Sequence, residues 1–117
     1  MARKIVYDKG RKTPFSFEIL ESIEGELDFV ERHLEANPEV LAWTKRHDIE
    51  IPYRNKMGKI SIYHPDFLVR YRSDHRLHLI EVKGKHLAEN TDTRLKAREG
   101  DVFCQKRGMV YRVEVYG

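Results

Sequence analysis

Three observations predict an α+β domain. Apolar residues recur at helical spacing from about Phe17 to Glu35, strand-like alternation runs from Glu50 to Lys83, and a capped helix after it leads into a last strand. Helices, then three or so antiparallel strands, then a helix and a strand, are the succession from which that class is read. At 117 residues the chain is expected to be one domain over 1–117, with its core at about 15–116.

The elements follow in order. Arg3 to Tyr7 is either a short strand or a mobile arm. Thr13-Pro14 can start a helix, because proline is tolerated at the first helical position. Ile19, Ile23, Leu27, Val30 and Leu34 form its apolar stripe, with Gly25 as an interruption. Asn37-Pro38-Glu39 predicts a second helix, capped by Asn37, that runs to about Arg46 and buries Val40, Leu41 and Trp43. Ile49, Ile51 and Tyr53 then alternate, Asn55 to Gly58 supply a turn, and Ile60 and Ile62 resume the alternation. Phe67, Val69 and Tyr71 share one face of the next strand, and Leu77 to Lys83 is the most apolar strand. Thr91 or Asp92 can cap a helix that reaches about Arg107 and stops at Gly108, and Met109 to Tyr116 is the final strand.

Composition narrows the function classes. Apolar residues at 40% suffice for a core, and charged residues at 35% exceed the usual share of about a quarter. A net charge of +3 permits nucleic-acid binding without demanding it. The N-terminus reads as lacking a signal peptide, and no apolar run is long enough to span a membrane. The single Cys104 excludes an internal disulfide framework, so an intracellular, cytoplasmic and reducing setting is expected. His75 and His78, three apart across a turn, lack the partners that zinc requires.

The chemistry gathers on two neighbouring strands. Asp66 opens the first, while Glu81 and Lys83 sit two apart near the end of the second and so point the same way. Two carboxylates side by side suit Mg²⁺, a hard ion that prefers oxygen ligands, and a lysine beside it can hold the attacking water. The preceding helix can add a third carboxylate. Glu26 lies about 60° from the centre of its apolar stripe and Glu31 about 80°, so Glu26 is the first candidate and Glu31 the rival.

Ile51-Pro-Tyr53, then Tyr63-x-Pro-Asp-Phe-Leu-Val69, then Leu79-Ile-Glu-Val-Lys-Gly84 resemble the PD-(D/E)XK nuclease superfamily. The likeness covers roughly residues 20–116 and is greatest to the C-terminal endonuclease domain of type III restriction enzyme Res subunits, then to transposon-end and Holliday-junction relatives. It implies a restriction-endonuclease-like α/β/α sandwich, a mixed central sheet flanked by helices in the order αβββαβ. It also implies Mg²⁺, replaceable by Mn²⁺, held by Asp66, Glu81, the Val82 carbonyl and Glu26, with Lys83 beside the water. Members often add a Lys or Gln from the helix after the motif; Lys96 and Gln105 are the residues available, and solvent exposure is the simpler reading of both.

The expected activity is therefore hydrolysis of DNA by a restriction-type endonuclease. Arg54, Lys56, Arg70, Lys85 and Lys96 are the candidate phosphate contacts. One site cuts one strand, so a homodimer is expected for a double-strand break. The chain has no Gly-x4-Gly-Lys-Ser/Thr phosphate loop, so any motor or specificity subunit must come from other sequence. The competing readings are a branched-DNA resolvase, a non-catalytic DNA-binding module of the same fold, and an interaction domain whose Asp/Glu/Lys cluster is an ion-pair network.

Overall fold

In the computed structural model, which describes residues 4–117, the chain begins with an antiparallel ribbon of β1 (Ile5–Tyr7) on β2 (Glu18–Leu20). Of the two readings of residues 3–7, the strand is found for Ile5–Tyr7; Arg3 lies outside the described residues. Thr13-Pro14 starts no helix, and Ile19 belongs to β2.

The helix begins instead at Ser22, whose hydroxyl accepts the Glu26 N–H at 2.9 Å. This helix, α1, consists of two wide-turn π-type stretches, Ile23–Leu27 and Val30–Glu35, joined through Asp28 and Phe29. Its first turn closes from Leu27 N–H to Ser22 C=O at 2.9 Å, one residue longer than an α-helical bond. That wider turn changes which residues share a face. Ile23, expected inside, is 56% exposed, whereas Glu26, Phe29, Val30 and Leu34 are buried.

The predicted second helix is absent, and Val40–Thr44 is a strand, β3. Asn37 does make the local turn its side chain favours, accepting the Glu39 N–H at 2.9 Å. Beyond that turn, Val40 pairs with Tyr71 and Trp43 with Val69, so strand pairing and burial outweigh a helix-start signal. Trp43 is buried as expected, on a strand rather than a helix.

A second antiparallel ribbon follows, β4 (Ile51–Arg54) on β5 (Ile60–Tyr63), turned at Gly58 with φ of 80°. Next come β6 (Phe67–Tyr71), β7 (Leu77–Gly84), the short α2 (Lys85–Ala88), α3 (Thr91–Gln105) and β8 (Val110–Tyr116). Asn90 caps α3, its side chain accepting the Asp92 N–H at 2.9 Å, one residue before the expected cap.

The central sheet has the order β3-β6-β7-β8, antiparallel except for β7 and β8, which run parallel across α3. The fold is thus mixed α+β with a mixed central sheet, as a restriction-endonuclease-like domain requires. The order αβββαβ is present, but its first strand is β3, and the ribbon β4–β5 is inserted between β3 and β6.

Apolar clusters cover both faces of this sheet. Ile80 and Val82 of β7 pack with Phe67, Val69, Trp43 and the α1 residues Phe29, Val30 and Leu34. Leu79 packs on the other side with Ile51, Tyr53, Tyr63 and Cys104, against Leu95 and Phe103 of α3. Successive residues of β7 therefore serve opposite cores, and residues 79–82 are all buried.

Gly100 of α3 shows how tightly that second face is closed. A Cβ there would lie 2.4 Å from Cε1 of Tyr111, a side chain that also reaches Tyr63. Alanine is the better helix former by roughly 1 kcal/mol, but overpacking costs typically about 1–3 kcal/mol. Gly100→Ala should therefore lower the urea midpoint, and an increase would show that Tyr111 has room to move.

Candidate active site

Strand register decides where the two motif carboxylates meet. Phe67 pairs with Ile80 and Leu68 with Leu79, so the next step of that ladder sets Asp66 opposite Glu81. Directly opposed residues of an antiparallel pair have Cβ atoms about 4.5–5.5 Å apart. The pair sits just before β6 begins, and there the Val82 N–H donates to Asp66 Oδ2 at 2.9 Å. Asp66 thus satisfies a backbone group that the ladder itself leaves open.

Glu81 is 8% exposed and held on both oxygens. Tyr63 donates to Oε1 at 2.9 Å, and the Lys83 ammonium lies 3.4 Å from Oε2. Since the single Tyr63 hydroxyl proton is committed to Glu81, the Tyr111 hydroxyl is the donor in its 2.9 Å contact with Tyr63. This gives a directed chain, Tyr111 to Tyr63 to Glu81. Burial raises both phenols far above the ordinary tyrosine range, with Glu81 adding to the effect.

The α1 carboxylate comes from the other side. Glu26 is 5% exposed, accepts the Glu21 N–H at 3.1 Å, and pairs with the ammonium of Lys45, just past the end of β3. Glu31 is exposed. Desolvation raises Asp66 from 3.8 to about 7, with the Glu81 charge next in importance. Glu26 is raised as well, first by burial and then by Asp66, against the opposing pull of Lys45. Three carboxylates thus face a shortage of positive charge.

His47 fixes the chain immediately before Asp66. Its Nδ1 accepts the Ile49 N–H at 3.3 Å, so Nε2 carries the proton and donates to the Pro65 carbonyl at 2.7 Å. Burial pushes this imidazole below its ordinary value, which favours the neutral ring, and the two hydrogen bonds select its tautomer.

Lys96, for which solvent exposure was the simpler expectation, is half-buried instead. It lines one small cavity with Tyr63, Glu81, Lys83, Thr93 and Tyr111, its ammonium 5.8 Å from the Tyr53 ring and 5.9 Å from the Tyr63 ring. Gln105 is exposed at the other end of α3 and bonds Asp101. Arg54 and Lys56 border a separate cleft of about 510 Å³ between the β4–β5 turn and α3, with Arg98 on its far side. Lys85 is exposed just beyond β7. Arg70 is exposed near the other end of β6, four residues or about 13 Å along the strand from Asp66.

Lys45, His47, Tyr63 and Tyr111 are the site residues that sequence reasoning missed. Lys45 falls in the segment expected to be helical and His47 just past it, and neither has a motif of its own. Tyr63 was within reach: it begins the motif segment and lies three residues before Asp66.

The donor chemistry suits a divalent cation. Asp66 and Glu81 offer hard oxygen ligands in one place, and their mutual repulsion favours a positive ion. Among the described residues no three acidic, histidine or cysteine side chains already converge for a metal, and Glu26 faces Lys45. Mg²⁺ needs no such cage, because one or two carboxylates, waters and a substrate phosphate commonly complete its shell.

The family model for the TnsA-like endonuclease N terminal matches residues 37–114, two thirds of the chain, from just before β3 into β8. Asp66, Glu81 and Lys83 lie inside that match, and Glu26 lies before it. No curated protein matches the chain. Among the described residues no helix is long and apolar enough to cross a membrane.

The carboxylate repulsion has a measurable sign. With Asp66 raised from 3.8 to about 7, the folded chain binds more protons than the unfolded one between those values. Metal-free stability contributed by this group is therefore lost as pH rises through that window. Asp66→Asn, which keeps an acceptor for Val82 N–H, should stabilise the metal-free chain at pH 7 by on the order of 1–3 kcal/mol and change little near pH 4. Urea denaturation at the two pH values reads this directly, and equal effects at both would contradict the charge argument.

Proposed function

This chain belongs to the TnsA-like endonuclease N-terminal family, and we propose that it hydrolyses DNA phosphodiester bonds with Mg²⁺ as cofactor and Mn²⁺ as a working substitute. The observation that carries this reading is the Asp66–Glu81 pair at the open end of β6, with Lys83 two residues along β7.

Asp66, Glu81 and the Val82 carbonyl would hold the metal, with Glu26 as a further ligand. When bound, a divalent ion supplies neutralising charge at the phosphoryl oxygens and makes a coordinated water more acidic. Tyr63 keeps Glu81 Oε1 aimed by its hydrogen bond, and His47 holds the Pro65–Asp66 peptide in register. Lys83 donates to the attacking water and offsets negative charge that grows on the phosphate during in-line displacement. Lys96, which lines the same small crevice as Glu81 and Lys83, would hold a phosphoryl oxygen.

Arg54 and Lys56, on the cleft beside α3, are the DNA contacts best situated to extend this site, with Lys85 beyond the end of β7. Such contacts fix position on the backbone and carry no base sequence. Arg70, exposed about 13 Å along β6 from Asp66, would contact backbone further along the same duplex. A homodimer is the simplest way for single-cut sites to sever both strands.

Within the nuclease superfamily, the match favours the TnsA-like branch over the type III Res and Holliday-junction likenesses that the strand motifs also carry. A partner that supplies target choice or a motor fits a domain of this size.

Cleavage of supercoiled plasmid tests the reading. The chain should nick or linearise it with Mg²⁺ or Mn²⁺ but not with EDTA, and Asp66→Ala/Glu81→Ala should abolish cutting with DNA binding retained. Metal-independent cutting, or cutting by the double variant, would place the chemistry elsewhere. Binding without cutting by the native chain would favour a DNA-binding module or a nuclease dependent on a partner.

A further inference from the structure

Lys45 is the side chain in this cluster that the nuclease reading leaves without a task. Its side chain is 13% exposed and its ammonium contacts Oε1 of Glu26, itself 7% exposed in its side chain. Its backbone is anchored too: the Lys45 N–H donates to Glu18 Oε1 at 2.9 Å. Glu18 is fully buried, and its other oxygen accepts from the hydroxyls of Thr13 and Thr44. The ammonium also stands 5.5 Å from the centre of the Phe67 ring, next in sequence to Asp66. A lysine built in this firmly is no wandering surface charge.

We propose that Lys45 is a tethered counter-cation that competes with the divalent metal for Glu26. This rests on the metal-site reading above. The Glu26 oxygen that contacts Lys45 cannot enter a metal shell until the ammonium yields it. A buried carboxylate needs a positive partner, and either a lysine or a metal ion can fill that need. The arrangement lets the chain fold with its acidic cluster compensated and no metal bound. The same arrangement weakens metal binding: an ion on Oε1 must displace a partner that is covalently part of the protein, and an ion on Oε2 must share the carboxylate's charge with that partner. Lys83 cannot take this role at Glu26, since its ammonium lies against Glu81.

The test is a calorimetric Mn²⁺ titration of the native chain, Lys45→Met, Lys45→Arg, Glu26→Gln/Lys45→Met and Asp66→Asn, without DNA. Removal of a competitor coupled to the site should tighten Mn²⁺ binding by Lys45→Met roughly 5–50-fold. Lys45→Arg keeps the charge and should stay close to the native chain. Glu26→Gln/Lys45→Met should lose the gain, because the oxygen released by Lys45→Met is then no longer charged.

Unchanged or weaker Mn²⁺ binding by folded Lys45→Met, with binding still lost in Asp66→Asn, would overturn the competition alone. Absence of binding in every variant would overturn the metal-site reading and this inference together. If Lys45→Met fails to fold by itself, circular dichroism supplies the readout. Mn²⁺ should then restore its helix and strand signal, and no recovery at saturating metal would overturn the proposal.

Discussion

Two carboxylates facing each other across the end of an antiparallel ladder are the constraint around which this molecule is arranged. Like charges directly opposite in a sheet repel, and the repulsion grows as water is removed. Asp66 and Glu81 are held in that arrangement because β6 and β7 are locked in register by buried Phe67, Val69, Leu79 and Ile80. Almost every polar group nearby answers the resulting negative potential. The Val82 N–H turns to Asp66, Tyr63 and Lys83 turn to Glu81, and Lys45 turns to Glu26. The core supplies the rigidity, and the cluster uses it against its own electrostatic preference.

The same geometry explains why so small a domain covers both faces of its sheet. A strand exposed on one side would leave Glu81 in water, where a carboxylate has no particular need of a cation. Here α1 and the first ribbon close one face while α3 and the second ribbon close the other. The end of β7 is thereby desolvated without being sealed, and Lys83 and Lys96 retain partial access to solvent. Close approaches at Gly25 and Gly100 belong to this design. A Cβ on Gly25 would stand 2.5 Å from the Tyr116 ring, so a residue that looks like a helix interruption is a packing requirement for β8 against α1.

Positive charge in the site is divided by chain segment. Lys83 and Lys96 come from the strand and helix of the motif, whereas Lys45 directly follows β3, the first strand of the central sheet. His47 extends the same segment to the peptide before Asp66, so the three residues after β3 both compensate the cluster and align it. The region that carries least motif information in the sequence is therefore tied most closely to the geometry of the acidic residues.

How much of this was legible before the fold was known follows from the range of the forces involved. Alternation of apolar residues in 67–71 and 77–83 determined both motif strands, because a period of two is a local property of the backbone. It also determined that Glu81 and Lys83 share a face, while the nuclease-like pattern of the acidic residues came from the resemblance of the motif segments. Local signals failed at Val40–Thr44, where an Asn-Pro start predicts a helix and pairing with β6 imposes a strand. They failed again at Ile23, since the wide turns of α1 shift its buried face by an amount that no periodicity assumed at 3.6 residues can anticipate. The partnership of Lys45 with Glu26, the tautomer of His47 and the Tyr111–Tyr63–Glu81 chain join segments between 2 and 48 residues apart. Apart from the short His47 turn, those contacts exist only once the sheet has ordered its strands, which is a decision of tertiary packing rather than of any local stretch of sequence.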